Sequence, residues 1–512
     1  MNIGTYHYFA DKTFHDFYLT LTSEGLRALE YVARHEIFSQ HVKRLWIVPS
    51  LFLADYTWTL DEMKRPIEVQ DDLQKRRRHF QPLTRNLARL LGKSKVTAVE
   101  SPAPSLSNEP CLTSLSELAI EDRYLIYKDA VIDHFRVLLS SPGETSTERT
   151  RLQDTLENCL PLLSNLHTTG LRNYTGHPDY DAKRFPKVMR GTRSLQRQLG
   201  FNPVHPMNRQ DGMPECSRSS SWRGSLFQSY VFSTLLAALG TTHTRITALE
   251  TCGGMMVDDG ISLTPSEEEA LIPIFQQLQE LSVQISSAHT QVSERQSLCE
   301  AEEQVAFLVR ESAIWEERKN SLEIKKNRLL PLLAKAAPGI QTLDLTMHPA
   351  SARILSFCQK QDEAGLDLAD AHFDWIAEHF KFSRLSVLSL KNIVTTVSSF
   401  KEFLKTALST LTHVTLDYLI WTSDLKIPRS ERRRFKEEGV RICQELLAYL
   451  RNHSRIQSLS MGMLYYKGHP IDVVDAFHKP PPPRRMRPYW KCYDQQQDSI
   501  SFVEWIDQLD IT

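Results

Sequence analysis

A short apolar phrase that recurs along the chain constrains the fold more than any other feature. Each copy places an apolar residue, two spacers and a second apolar residue in series, and most copies add one spacer and a third apolar residue. The copies are Val42–Ile47, Leu163–Leu166, Ile246–Leu249, Ile340–Leu345, Leu385–Leu390, Leu411–Leu416 and Ile456–Met461. Such alternation is typical of a half-buried strand. Because a helix-like stretch precedes each copy, the sequence predicts stacked helix–strand units.

The spacing of the copies is uneven. The intervals from Ile340 to Leu385, from Leu385 to Leu411 and from Leu411 to Ile456 are 45, 26 and 45 residues. A regular leucine-rich repeat takes about 20–29 residues. We therefore predict an α/β fold, namely an irregular leucine-rich-repeat-like solenoid that forms a single domain over residues 1–512 and carries long insertions.

Four segments depart from the repeat. Residues 95–110 are predicted to form a disordered loop, because a segment rich in Ser, Pro and Ala buries too little surface to offset its ordering entropy. Residues 174–222 predict an irregular insertion. Residues 264–325 predict a helical insertion that opens with Thr264 as N-cap and a proline at the first helical position. Residues 480–512 form a tail that begins with four prolines.

Composition limits the class of protein. The 512 residues carry a formal net charge of -1, so no overall attraction to nucleic acid is expected. No apolar run of about 18 residues predicts a membrane span, and the N-terminus lacks the apolar core of a secretory signal. The 8 cysteines form no C-x-x-C pair and predict reduced thiols of an intracellular protein, cytoplasmic or nuclear.

No motif points to catalysis. The chain contains no H-E-x-x-H, P-loop, G-x-G-x-x-G or G-x-S-x-G sequence. Cys252 followed by two glycines is better explained by a turn than by a nucleophile, since no base or low-pKa setting is evident. We therefore predict a binding protein that is not an enzyme and that has no cofactor and no metal.

Three segments carry a resemblance to a known family. Leu26–Phe52 resembles the region after the F-box in many fungal F-box proteins with leucine-rich-repeat-like C-terminal regions. Leu152–Leu166 resembles the next helix and strand of that family, and Leu332–Leu345 resembles its later repeats. The resemblance covers most of the chain thinly, and it implies protein recognition as the substrate receptor of a ubiquitin ligase. A stand-alone scaffold and an enzyme of unrecognised class are the alternatives.

The F-box itself finds no counterpart ahead of the first predicted strand, residues 14–21. Thirteen residues of helix span about 20 Å at 1.5 Å per residue, which is too short for a three-helix F-box. We therefore expect no docking on a Skp-type adaptor through this segment.

The outward side chains of the predicted strands are the candidate partner-binding residues. Stacked strands align these side chains on one sheet face, where solenoids usually bind proteins. The candidates are Arg44, Trp46, Glu250, Asp344, Lys391, His413 and Asp417. Two alternatives remain open for Trp46, which is either an exposed aromatic contact for a partner or a ring covered by an intramolecular contact.

Overall fold

The computed structural model describes part of the chain. The described residues are 3–49, 120–137, 150–172, 195, 222–252, 256–257, 261, 263–286, 329–348, 373–422, 432–452, 455–462, 464–466, 469–471, 473–475, 491–494, 501–507 and 509–511. The predicted loop at 95–110 lies outside them, as do residues 174–222 apart from 195 and 222.

The strands form one large sheet and two small ones. The strands are β1 (Asp16–Thr20), β2 (Arg44–Val48), β3 (Thr168–Arg172), β4 (Ala248–Cys252), β5 (Met256–Val257), β6 (Glu280–Ser286), β7 (Thr342–His348), β8 (Val387–Lys391), β9 (Val394–Thr395), β10 (His413–Asp417), β11 (Leu419–Trp421), β12 (Ser458–Met461), β13 (Leu464–Tyr466), β14 (His469–Ile471), β15 (Val473–Asp475), β16 (Lys491–Asp494) and β17 (Leu509–Ile511). The α/β class is confirmed.

The large sheet follows the chain. Among the described residues, nine parallel strands pair in sequence order, β1-β2-β3-β4-β6-β7-β8-β10-β12, and β16 joins β12 antiparallel at the end. A smaller sheet has the order β14-β13-β11-β9, and β15 pairs with β17. Each parallel neighbour therefore belongs to the next unit along the chain.

A helix precedes each of the nine parallel strands of the large sheet. The helices are α1 (Ile3–Phe14), α2 (Ser23–Arg34), α3 (Phe38–His41), α4 (Ile120–Arg136), α5 (Arg151–Cys159), α6 (Trp222–Thr242), α7 (Pro265–Phe275), α8 (Leu329–Ala336), α9 (Val397–Lys405), α10 (Arg432–Arg451) and α11 (Phe502–Asp507), with a short 3-10 helix at Leu160–Leu162. Residues 373–379 are also helical. Alternate strand residues and one face of the helices bury one cluster of apolar side chains that extends from Ala10 to Ile506.

Threonine begins four of these helices. The N-cap side chains of Thr22, Thr150, Thr264 and Thr396 each accept a hydrogen bond from a backbone N–H in the first turn. Such a bond satisfies a donor that has no partner within the helix. At Thr264 the side chain of Glu267 also reaches back to the N-cap backbone, so the predicted helix start is confirmed as a full capping box.

One segment prediction is corrected. Residues 264–325 are helical only at α7 in their described part, because Leu281, Val283 and Ile285 alternate into the core as strand β6. This unit was missed, since its phrase from Leu278 has three polar residues as spacers and a helical spacing fits it equally well. The tail at 480–512 contains β16 and α11, whose aromatic side chain Trp505 is buried.

The second copy of the phrase is displaced. The sequence places it at Leu163–Leu166, but β3 begins at Thr168 and its inward positions are Thr169 and Leu171. A threonine at an inward position hid the alternation, and its hydroxyl donates to the Leu45 carbonyl oxygen at 3.0 Å. The predicted strand at residues 14–21 is present as β1, although Phe14 ends the preceding helix α1.

Candidate functional site

The side of the large sheet that faces away from the main core carries three rows of aligned side chains, which we call the polar face. The first row is Asp16, Arg44, Thr168, Ala248, Glu280, Thr342, Val387, His413 and Ser458. The second is Tyr18, Trp46, Gly170, Glu250, Ser282, Asp344, Ser389, Thr415 and Ser460. The third contains Thr20, Val48, Arg172, Gln284, Thr346, Lys391 and Asp417.

All seven candidate residues lie on this face, but in two separate groups. Three of them, on β2 and β4, join a network around a buried ring, and four lie on β7, β8 and β10. The N-terminal group is Arg44, Trp46 and Glu250, and the C-terminal group is Asp344, Lys391, His413 and Asp417.

The N-terminal group surrounds Trp46, which is fully buried. Its indole Nε1 donates to Asp16 Oδ1 at 3.1 Å, and the guanidinium carbon of Arg172 lies 3.7 Å from the ring centroid. Arg44 holds the same Asp16 carboxylate at 2.6 and 2.7 Å. Arg172 also pairs with Glu250 at 3.3 Å. Of the two alternatives for Trp46, the intramolecular contact is the one observed.

We call this network the tryptophan–arginine cluster, comprising Asp16, Tyr18, Arg44, Trp46, Arg172 and Glu250. Arg172 Nη1 lies 3.4 Å from the Tyr18 hydroxyl oxygen. Burial raises the pKa of Tyr18, and the nearby Arg172 charge only partly opposes this, so Tyr18 stays neutral at physiological pH. A cation stacked on an indole, with each charge paired, is a stabilising arrangement.

Gly170 on β3, two residues before Arg172, permits the close approach of β3 to the backbone of β4. A Cβ at this position would lie 1.7 Å from the Glu250 carbonyl oxygen, well inside van der Waals contact. The position therefore requires glycine, because any side chain would push β4 away.

The C-terminal group has no comparable centre. Lys391 Nζ lies 3.3 Å from Asp344 Oδ2, with about a third of each side chain exposed. His413 is exposed, and its Nδ1 is 2.8 Å from the hydroxyl of the neighbouring Thr412. Asp417 is half-buried beside Gly462, whose missing side chain leaves room for the carboxylate.

The polar face ends at sharp corners in this region. Asn392 and Tyr418 follow β8 and β10 directly and have φ of 56° and 57°. This left-handed conformation turns the chain into β9 and β11 of the smaller sheet. Asn adopts it readily, whereas a bulky Tyr rarely does. The Tyr418 ring stacks on Tyr465 at 5.6 Å, which holds the side chain at this corner.

Three members of the cluster were missed by sequence reasoning. Asp16 and Tyr18 belong to a predicted strand, but only the inward residues of that strand, which are large and apolar, give a clear sequence pattern. Arg172 was missed because β3 was placed too early. The available signal was the register, since aligning Leu166 with Val42 places Arg172 two residues beyond the position opposite Trp46.

The described residues were searched for groups of metal-ligating side chains, and their two buried cysteines for reactivity. None of their His, Cys, Asp and Glu side chains form a group of three or more that could hold a metal ion. Burial raises the pKa of both Cys159 and Cys443 to about 12, so these two thiols stay protonated and unreactive near neutral pH. None of the helices in the same part of the chain combines the length and the apolar character required to cross a bilayer.

Comparison with known proteins adds no relative: no family model matches the chain, and no curated protein matches its sequence.

Proposed function

We propose that this chain is a leucine-rich-repeat-like solenoid that binds a protein partner through the C-terminal half of its polar face, which comprises strands β7, β8, β10 and β12. The observation that carries the proposal is the sequence-ordered, parallel pairing of the strands. In repeat proteins each unit contacts only its neighbours, and the aligned strand faces form an extended binding surface. Sequence order is what such stacking requires, and a crossover between distant strands would argue against it.

Exposure supports the choice of the C-terminal half. The outward residues Val387, Ser389, Thr415, Ser458 and Ser460 are all half-buried, and His413 is exposed. In the N-terminal half the corresponding Trp46, Val48 and Ala248 are buried. A partner can therefore approach hydroxyl and imidazole groups on β8, β10 and β12 without displacing a charged network.

The resemblance to fungal F-box proteins extends the proposal to a function. The bound protein is then a substrate that is presented to a ubiquitin ligase, and no cofactor is involved. The alternative is a stand-alone interaction protein with no ligase partner. Co-purification with a Skp-type adaptor is the test: stoichiometric recovery of the adaptor would support the substrate receptor and would place the docking in a segment other than the residues ahead of the first strand.

The test of binding is a matched pair of substitutions in an affinity purification. Ser389→Arg places a long cation in the second row of the polar face, and Ser409→Arg places the same group at an exposed site after α9, away from the face. We expect partners recovered with the unmodified protein to be lost with Ser389→Arg and kept with Ser409→Arg. Recovery that is equal for both variants would contradict the proposed surface.

A further inference from the structure

The two ends of the large sheet are covered to different extents. At the C-terminal end β16 pairs antiparallel with β12, and the buried ring of Tyr493 packs against Phe502 and Trp505 with centroids 5.3 and 5.7 Å apart. At the N-terminal end β1 is the edge strand of the described residues. Proteins built from stacked units require end units whose outer surface is polar, since an apolar end promotes association.

The N-terminal end exposes aromatic side chains. Tyr8 and Phe9 on α1 and Tyr31 on α2 are 66%, 55% and 64% exposed. They are three of the five large hydrophobic side chains that the described residues expose. Helix α3 joins the two helices at this end, because its Phe38 ring lies 4.4 Å from Phe14 and 6.4 Å from Tyr31. Exposed aromatic side chains concentrated at one end of a molecule favour a protein interface there.

Helix α2 carries charges on either side of its exposed aromatic residue. Its four exposed residues are Glu24, Arg27, Tyr31 and Arg34. Successive members are three, four and three residues apart, so they form one stripe along the helix, which we call the α2 stripe. The stripe lies opposite the buried face of α2, which packs on β1 and α5.

The α2 stripe is complementary to itself when two copies of the helix pack antiparallel. A two-fold axis at the level of Leu29, midway along the helix, places Glu24 of each copy opposite Arg34 of the other and Arg27 opposite Tyr31. Opposite charges then meet at both ends of the helix pair, and in the middle each guanidinium faces a phenol ring, which is a favourable cation–π arrangement. A parallel arrangement would place Glu24 against Glu24 and Arg34 against Arg34, and like charges repel.

We propose that a second copy of this chain covers the N-terminal end, and that the protein forms a two-fold dimer through antiparallel α2 helices. A two-fold interface uses the same patch on both copies, so every contact in it occurs twice. The pairing of Glu24 with Arg34 and of Arg27 with Tyr31 has this property, and it gives the aromatic ring of α2 a partner.

The size of the interface sets the strength of the dimer. One pair of three-turn helices buries less than the about 800 Å² per partner that is usual for a stable complex, so the dimer is weak and forms with rising protein concentration.

The dimer leaves the C-terminal half of the polar face uncovered, because α2 belongs to the other end of the sheet. It therefore presents two copies of the proposed binding surface, and linked copies raise the apparent affinity for a partner with repeated sites. This consequence rests on the proposed function, whereas the dimer itself does not.

Sedimentation velocity of the full chain over about 1–100 μM tests the dimer. We expect the mean mass to rise with concentration from that of one chain toward that of two. Glu24→Arg and Arg34→Glu each place like charges at both ends of the helix pair, so each variant should dimerise at least about tenfold more weakly. A chain that stays monomeric throughout, or single variants that associate as the unmodified protein does, would overturn the proposal.

A mixture of the two variants separates a lost contact from a misfolded chain. One variant has arginine at both ends of the α2 stripe and the other has glutamate at both, so opposite charges meet again in a mixed dimer. We expect the equimolar mixture to reach the mass of two chains at a concentration where neither variant does so alone. A mixture that stays monomeric would contradict the antiparallel pairing.

The matched control is Lys335→Glu. It replaces an exposed cation in the last turn of α8, just as Arg34→Glu does in the last turn of α2. The association of this variant should equal that of the unmodified protein. Weaker association of Lys335→Glu, to the extent seen for Arg34→Glu, would mean that net charge and not the α2 stripe controls the dimer, which would overturn the proposal.

Discussion

The two halves of the polar face share one register but use their outward residues differently. In strands β1–β4 six outward side chains, all aromatic or charged, form one network centred on Trp46. In strands β7, β8, β10 and β12 they hold mostly Ser, Thr, Val and His, with Asp417 and one partly exposed ion pair between Asp344 and Lys391. The same strand phrase therefore produces a closed network at one end and an accessible surface at the other.

The difference shows that the outward residues that fix the structure and the outward residues that remain accessible lie in different halves of the polar face. Trp46 is fully buried, and the Arg172 side chain that stacks on it is only 12% exposed. Polar groups this buried must be paired and hydrogen-bonded, so the centre of the N-terminal cluster tolerates few arrangements. Short hydroxyl side chains impose no such requirement. Substitutions in the C-terminal half, which is the proposed binding surface, should therefore be tolerated while the inward leucines maintain the sheet.

The largest expected effect contrasts two residues of the second row. Trp46→Ala should lower the free energy of unfolding by about 3–5 kcal/mol, because it removes a fully buried ring and leaves Asp16 and Arg172 without that contact. Thr415→Ala should change it by less than about 0.5 kcal/mol, as for other surface positions. Denaturant unfolding measures both. Similar losses of stability in the two variants would show that outward residues of the two halves contribute equally to stability.

Much of the fold followed from the period-two phrase. Seven strands were anticipated near their observed places because their inward residues are large and apolar, as at Leu388 and Leu390. Strand β6 was missed for a physical reason: the spacing of Leu278, Leu281 and Ile285 also satisfies a helix, and only pairing with β4 and β7 decides between them. Long-range pairing of this kind is not encoded in a local pattern.

The candidate site was predicted in part. Outward parity placed all seven residues on one face, but it could not tell a covered residue from an accessible one. Trp46 is buried because Arg172, which lies 126 positions later in the chain, stacks on its ring. Only the three-dimensional register brings these side chains together, whereas Lys391 and Asp344 belong to adjacent strands that the sequence had already aligned.

Lowering the pH should reduce the free energy of unfolding by an intermediate amount, through a buried histidine in the N-terminal half. His134 on α4 is fully buried, and its Nδ1 lies 2.9 Å from the carbonyl oxygen of Leu21, just after β1. Burial lowers the pKa of His134 to about 4, although the hydrogen bond to Leu21 opposes this shift. The unfolded chain takes up this proton near pH 6.5, so between pH 6.5 and 4 the unfolded state binds more protons than the folded state.

The stabilising contribution of neutral His134 is therefore complete above about pH 6.5 and is lost as the pH falls toward 4, by about 3 kcal/mol in the limit. Unfolding curves at pH 7.5 and pH 4.5 should differ less for His134→Gln than for the unmodified protein. His413→Gln, at an exposed position of the C-terminal half, should leave the difference as it is. If the stability of His134→Gln depends on pH as strongly as that of the unmodified protein, buried His134 is not the cause of that dependence.

The smallest expected effect comes from a matched pair of ion pairs. Lys391→Met removes a contact whose partners are each about a third exposed, so the free energy of unfolding should change by no more than about 0.5 kcal/mol. Arg172→Met should cost about 1–3 kcal/mol, because Glu250 loses a charged partner and the Trp46 ring loses its stacked cation. Raising the salt concentration should weaken the Lys391 contact further and affect the Arg172 contact less, since only 12% of the Arg172 side chain is exposed. Equal stability losses in the two variants at low salt would show that the C-terminal pair is structural as well. The polar face would then be one continuous network, and its C-terminal half would be less free to accommodate a partner.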